Sequence, residues 1–428
     1  LNGLSNSYYH ENKIYQVTAN DEELHFGYKD FQTDAVIKEF NKKKNDTITF
    51  KNSPLFAQVM NQRPKAMKTT AKFLKQLSGL YGLIVGVRLW LYEHGIFRHY
   101  TLGCQIVSVG NLTVGGTGKT PVVEVFARSL QKSGRKVAIL SRGYKKDELP
   151  FAQRLMNRLL LRENKIPPRV VSDGKNLLLD SGMSGDEPYM LACNLPQVAV
   201  VVDKNRVKAG KYAISKLGCD TLILDDGFQY LSLKHQLDIV LVDRTNPFGN
   251  RNLLPRGILR EPIRHIKRAG FIFITKSSGD GAEELKRQLR QLNPDAEISE
   301  CRHCPRYLQD LYSGERKPLD HLKGLDVAAI SGIAVPKGFE DELVRLGARV
   351  LYHKRYADHH RYSQMEIIDN MNKGMNRGAK AIITTEKDAV RFPMIERRDV
   401  PFYFLRVEIE MLSGAEDFYA CISRICFK

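Results

Sequence analysis

The 428-residue chain has no long uncharged apolar run, few cysteines, a single tryptophan and a shortage of acid. Its most apolar stretch, Phe73–Phe97, is free of charge only from Gln76 to Val87. A membrane-spanning helix needs roughly 20 apolar residues, so no transmembrane anchor is expected. Leu1–His10 lack the charged start and apolar middle of a secretory signal. Seven cysteines scattered over this length argue against a dense disulfide framework. Cys301 and Cys304 enclose His303, but no second pair of ligands completes a zinc or redox motif. Together these absences read as a reducing, cytoplasmic compartment. The shortage of acid, 48 Asp+Glu against 66 Lys+Arg for a net charge of +18, favours anionic partners: nucleic acid, a phospholipid surface or a phosphorylated substrate.

Residues 1–66 are polar, carry the basic run Lys42–Lys44 and hold no recognisable chemistry. They read either as an extension upstream of a natural start at Met67 or as a small accessory domain. Residues 67–100 centre on the apolar stretch. Lys68, Lys72 and Lys75 precede its middle, Arg88 interrupts it, and Trp90, Tyr92 and Phe97 follow. That pattern suits a helix lying on a membrane surface and equally a helix buried in the core.

Further on, short apolar runs alternate with helix-compatible segments. Gln105–Val109, Val137–Leu140, Val198–Val202, Thr221–Leu224, Ile239–Val242 and Phe271–Ile274 fit strands buried on both faces of a parallel sheet. Pro121–Ser133 and Lys204–Leu217 fit the intervening helices. A second series follows at Val327–Ile330, Arg349–Tyr352, Ala381–Thr384 and Pro401–Leu405, with helices near Lys337–Leu346 and Gln364–Arg377. The expected fold is α/β: a P-loop-type, doubly wound, mostly parallel sheet over 101–300 with a smaller C-terminal α/β lobe over 301–428.

Between the first strand and its helix lies VGNLTVGGTGKTP. Glycines let a backbone curl so that its N–H groups face a polyphosphate, and a helix N-terminus adds partial positive charge. Thr113, Gly115, Gly116, Thr117, Gly118, Lys119 and Thr120 are the expected ATP-binding residues. Lys119 would sit between the β- and γ-phosphates, and the Thr120 hydroxyl on Mg²⁺. Thr113 stands where the first glycine of the usual motif would be. A P-loop also needs a carboxylate at a neighbouring strand end. TLILDDGFQ supplies Asp225 and Asp226 there. SGDEP adds Asp186 and Glu187, which could equally cap a helix. YADHH offers Asp358 and His359 as an orienting or proton-handling pair. Thr120, Asp225 and Glu187 are the expected metal-side ligands.

In order, VGNLTVGGTGKTP, SRGY (Ser141–Tyr144), SGDEP, DDGFQ, LLPRGILREP (Leu253–Pro262), SGIAVP (Ser331–Pro336), YADHH and TTEKDAV (Thr384–Val390) resemble the tetraacyldisaccharide 4′-kinase family of the lipid A pathway in Gram-negative bacteria. The resemblance runs from about Lys72 to the C-terminus. It implies Mg²⁺-dependent transfer of the γ-phosphate of ATP to the 4′-hydroxyl of an acylated glucosamine disaccharide 1-phosphate, at the cytoplasmic face of the inner membrane. It also implies catalytic roles for Asp186, His359 (rather than His360) and Asp226. Arg260, Glu261 and Arg256, within the basic run 251–268, would position phosphate and acceptor. An anionic lipid and a membrane surface are thus the expected partners; no oligomeric state is read from the sequence.

Two rival readings fit the sequence less well. A partition-type P-loop ATPase would carry Lys immediately before the glycine pair, where this chain has Val114. A nucleic-acid-binding protein would interleave aromatics with its basic cluster, and 251–268 contains none.

Overall fold

A computed structural model of the chain describes residues 4–10, 13–19, 24–30, 65–143, 166–280 and 282–426, with side chains described from residue 73. Lys42–Lys44 and Tyr144 of SRGY lie outside the described residues. The chain divides into two compact units, Leu1–Phe73 and Leu74–Lys428. In the first, β1 (Leu4–His10), β2 (Lys13–Ala19) and β3 (Leu24–Asp30) form a three-stranded antiparallel meander.

In the second unit, the apolar runs become the central strands of a 13-stranded sheet. Its first half contains β4 (Gln105–Asn111), β5 (Val137–Ser141), β7 (Ala199–Val202), β8 (Thr221–Asp225), β9 (Leu237–Asp243) and β10 (Phe271–Thr275). They lie parallel in the order β10–β9–β4–β8–β5–β7, and β6 (Arg169–Asp173) adds an antiparallel edge. Helices cover both faces, which is why the strands carry almost no polar residues. On one face, Phe126 of α2 (Lys119–Lys132) is fully buried against Phe271, Phe273 and Phe418, with ring centroids 6.4, 5.8 and 4.8 Å away. Burying one such side chain stabilises the fold by about 1.5–3 kcal/mol.

The second half is the parallel set β14 (Arg349–Arg355), β13 (Asp326–Ser331), β15 (Ala381–Thr385) and β16 (Phe402–Ser413). It joins the first through an antiparallel ribbon of β16 with the 14-residue β11 (Glu297–Asp310). Residue 300, expected as a domain boundary, therefore lies within a strand that both halves share.

Register explains where a site can form. β10 pairs with only the first four residues of β11, ending at Ile274 opposite Glu300. β15 pairs with only the first four of β16, ending at Thr385 opposite Leu405. Because β11 and β16 run in opposite directions, the carboxyl edges of both half-sheets point at the same stretch of ribbon, Cys301–Tyr307 against Arg406–Met411. In an α/β sheet, the carboxyl edge is where ligands bind; here two such edges converge.

The apolar stretch forms the 29-residue helix α1 (Lys65–Glu93). Ser78 Oγ donates to the Leu253 carbonyl (2.8 Å) and Tyr81 Oη to the Arg260 carbonyl (3.0 Å), so one face docks on the basic loop. The other face leaves Leu80, Leu83, Ile84, Val87 and Trp90 exposed. The docked face is only half-buried, with Ser78 its one buried side chain among those described. Among the described residues, no helix is long and apolar enough to cross a membrane.

Candidate active site

The turn after β4 meets α2 at Gly118, whose φ of 82° lies in the left-handed region. A side chain there would strain the backbone and bring its Cβ within 2.9 Å of the His303 ring on β11. Gly118 supplies no side-chain cap, so the first N–H groups of α2 remain available to an anion. The turn is tied down around them. Thr275 Oγ1 donates to the Thr117 carbonyl at 2.8 Å, Val114 N–H to the Ile258 carbonyl at 2.7 Å, and Arg260 N–H to the Leu112 carbonyl at 2.7 Å. Thr113 is buried and bridges to Leu259, doing a structural job where a glycine was expected. Gly115 has φ 115° and open space about it, Gly116 is exposed, and Thr120 is buried in the first turn of α2.

Lys119 Nζ lies 3.5 Å from Asp226 Oδ1 and 3.4 Å from Asn111 Oδ1. Asp226 takes a left-handed φ of 54° beyond the end of β8 and accepts two hydrogen bonds from Arg260 Nη1, at 2.8 and 2.9 Å. Burial opposes its charge, but Lys119 and Arg260 together hold its carboxyl below the ordinary range. Its neighbour Asp225 behaves oppositely. It is buried, accepts from Ser141 Oγ of the SRGY motif at 3.1 Å, and is pushed up to about 6 by burial and by the charges of Glu187 and Asp226.

Asp186 is the first residue of α4 (Asp186–Asn194) and is buried. The second half-sheet surrounds it with cations. Arg391 Nε donates to Oδ2 at 2.8 Å, Arg361 Nη2 to Oδ1 at 3.1 Å, and His359 Nδ1 sits 3.1 Å from Oδ2. Arg391 Nη2 is 3.3 Å from the same imidazole nitrogen. The two contacts compete for one nitrogen, since the carboxylate needs Nδ1 to donate and the guanidinium needs it to accept. Capping alone therefore does not explain Asp186. Glu187 pairs with Lys387 at 3.2 Å. His360 turns away from Asp186, stacking on Tyr356 and reaching Glu366 at 3.1 Å.

SGIAVP and TTEKDAV prove to be the scaffold of this cluster. The Gly332 carbonyl accepts from the His359 N–H at 3.2 Å and from Arg391 Nη1 at 3.1 Å. Its N–H donates to Asp388 Oδ1 at 3.1 Å, and a Cβ there would meet Tyr362 Oη at 2.7 Å. Asp388, wholly buried, pairs with Arg391 at 3.1 Å.

Of the basic-loop residues, Arg260 reaches the site through Asp226. Glu261 is turned into the protein, 2.8 Å from His265 Nδ1 and 2.7 Å from Arg268. Arg256 is exposed, with its backbone N–H on Ser78 Oγ at 3.1 Å. Sequence reasoning missed Asn111, Arg361 and Arg391. Arg391 follows directly on TTEKDAV, which is the one signal that could have drawn attention to it.

Residues 70–426 match the family model for tetraacyldisaccharide-1-P 4′-kinase. The chain belongs to this family. Among relatives, a tetraacyldisaccharide 4′-kinase of Anaeromyxobacter dehalogenans is 39% identical over 338 residues, covering 78% of this chain and 85% of that one. One from Halothermothrix orenii is 34% identical over 368 residues, covering 82% and 91%. The crystal structure of LpxK from Aquifex aeolicus in complex with ATP superimposes with a TM-score of 0.64 at 29% identity, over 84% of this chain and all of that one. As a member of the 4′-kinase family, the chain has the P-loop α/β architecture expected from its strand runs.

Proposed function

We propose that the protein transfers the γ-phosphate of ATP to the 4′-hydroxyl of a tetraacyldisaccharide 1-phosphate in lipid A biosynthesis. One observation carries this reading: the phosphate-binding turn with Lys119 and the Asp186–His359 pair come from two converging carboxyl edges. The first edge would hold a nucleotide and contributes Asp186, the second contributes His359, and the two together would deprotonate an acceptor.

A sugar hydroxyl has a pKa far above neutrality, so it must lose its proton as it attacks phosphorus. In this reading, the hydroxyl oxygen bonds to the γ-phosphorus while the bond to the β–γ bridging oxygen breaks. ADP leaves, and the Asp186–His359 pair takes the proton. Arg361 and Arg391 fix the orientation of Asp186. Lys119 and Arg260 stabilise charge on the transferring group, as electrostatic preorganisation requires.

The donor set suits Mg²⁺. Asp225 is a buried carboxylate with one hydroxyl donor, two acidic neighbours and the charge of Lys119 acting against them. Among the described residues, no group of three or more His, Cys, Asp or Glu forms a cage. Mg²⁺ is commonly bound through one or two carboxylates together with substrate phosphates. Asp225, Glu187 and the Thr120 hydroxyl would hold it, and the ion would neutralise phosphate charge.

The exposed apolar face of α1 is read as the contact with a membrane surface, at the cytoplasmic face of the inner membrane. Residues 101–300 are read as the nucleotide-binding kinase region and 301–428 as the part that completes the site. An ATP-dependent phosphorylation assay over a panel of acceptors tests the function. The 1-phosphorylated tetraacyl disaccharide should gain phosphate at the 4′ position. ATP hydrolysis at the same rate without any acceptor would instead favour an ATPase.

A further inference from the structure

A buried ion cluster links the P-loop helix to the segment that grips Asp186. Glu124, five residues beyond Lys119 in α2, is 5% exposed. Arg406, the first residue of β16 beyond its pairing with β15, is 3% exposed and reaches Glu124 on one side. On the other side it donates to Glu386 at 2.6 and 2.8 Å. Glu386 opens the short helix α9 (Glu386–Ala389). Asn194, the last residue of α4, donates to Glu386 at 2.6 Å and to Glu124 at 3.3 Å. Arg128 completes the cluster, 2.5 Å from Glu124 and 3.3 Å from the Asn194 carbonyl.

The same segment therefore holds both ends of α4. Glu386 fixes Asn194 at its C-terminus, while Lys387 and Arg391 fix Glu187 and Asp186 at its N-terminus. Nine helical residues span about 13 Å. Pulling the N-terminal end from α9 would leave the buried Asp186 without Arg391, which is strongly unfavourable, and moving the C-terminal end would break the Asn194 hydrogen bonds to Glu386 and Glu124. Such a cluster is a poor source of net stability compared with apolar packing; its evident product is fixed geometry between α2, α4 and α9.

We propose that Arg406, acting through Glu124 and Glu386, is a positioning residue for phosphoryl transfer. It sets the spacing between the terminal phosphate held by α2 and the Asp186–His359 pair. The inference rests on the reading of that pair as catalytic.

The test compares Arg406→Gln, the double variant Glu386→Gln/Arg406→Gln and Asp186→Ala with the unaltered enzyme, measuring ATP Kd, kcat and thermal midpoint. Arg406→Gln should keep its ATP Kd within about threefold while kcat falls about 10²-fold, the scale of a 1 Å misplacement. The double variant should regain at least about tenfold in kcat, because Glu124 retains Arg128 and Glu408, 3.5 Å from Arg406, retains Arg306, so no carboxylate is left without a cation. If Arg406→Gln does not fold, Arg406→Lys, which keeps the charge but lacks the fork, is read by the same split between kcat and Kd. A kcat within about twofold of the unaltered enzyme, a loss of ATP affinity matching the loss of kcat, or no recovery in the double variant overturns the proposal. A fully active Asp186→Ala variant overturns the underlying site reading. An inactive one beside an unimpaired Arg406→Gln variant removes only the positioning role.

Discussion

The two half-sheets bring complementary charges together. The first contributes a glycine turn, one lysine and the carboxylates Asp186, Glu187, Asp225 and Asp226. The second answers with cations: Arg361, Lys387, Arg391 and the imidazole of His359. Neither edge is complete alone. The carboxylates come from one half and the cations that grip them from the other. The difference teaches that the proposed site depends on the convergence of two edges, which the long β11–β16 ribbon makes possible.

The comparison can be broken most severely from the first edge. Lys119→Ala removes the cation between the phosphates and Asp226, and ATP-dependent lipid phosphorylation should fall by about 10³-fold, the upper range for one lost electrostatic donor. The second edge is broken through Arg391. Its side chain is 1% exposed between Asp186 and Asp388, so Arg391→Met leaves two buried carboxylates short of a partner. Chemical denaturation should show a loss of about 3–5 kcal/mol, the usual cost of halving a buried pair.

The ribbon between the edges gives a pH test. His303 is held below the ordinary imidazole range by burial first and then by Lys276 and Lys387, against the weaker pull of Asp243. In the unfolded chain, it protonates near about 6.5. As the pH falls below that, the unfolded state gains a proton that the folded state resists, so stability falls with falling pH, by at most about 1.4 kcal/mol per pH unit for one group. His303→Gln should flatten this part of the stability profile between pH 6.5 and the lower folded value; an unchanged slope contradicts the placement of His303 against the turn. The smallest effect on the fold is expected from α1. Leu83→Gln/Val87→Gln alters the exposed face alone and should change stability by only about 0.5 kcal/mol, yet it should weaken liposome binding. Unchanged binding would remove the membrane role of that face.

Much of the first half-sheet was legible because its strands are apolar throughout and its turn needs glycine at fixed places. Gln105–Val109 and Thr221–Leu224 became β4 and β8 almost to the residue. The ribbon was not legible. β11 alternates irregularly, contains Pro305 and is interrupted in register between Pro305 and Tyr307. It therefore reads as a linker rather than as the longest strand. The site was legible where chemistry is local to a motif, as with Lys119, Asp225 and Asp226. It was illegible where a side chain acts across 173 to 205 residues of sequence, as Arg391 does on Asp186. Glu261, a motif residue expected at the substrate, has His265 and Arg268 as its partners within the chain, which the motif alone did not reveal.

The claim that one base is assembled from both edges is tested most directly by the kcat of Asp186→Ala, His359→Ala and the double variant, at saturating ATP and lipid. If the pair works as one unit, the double variant should lose no more than the worse single one, a fall of about 10²–10⁴-fold. Losses that multiply, or a His359→Ala enzyme with full activity, would show that the two edges act separately.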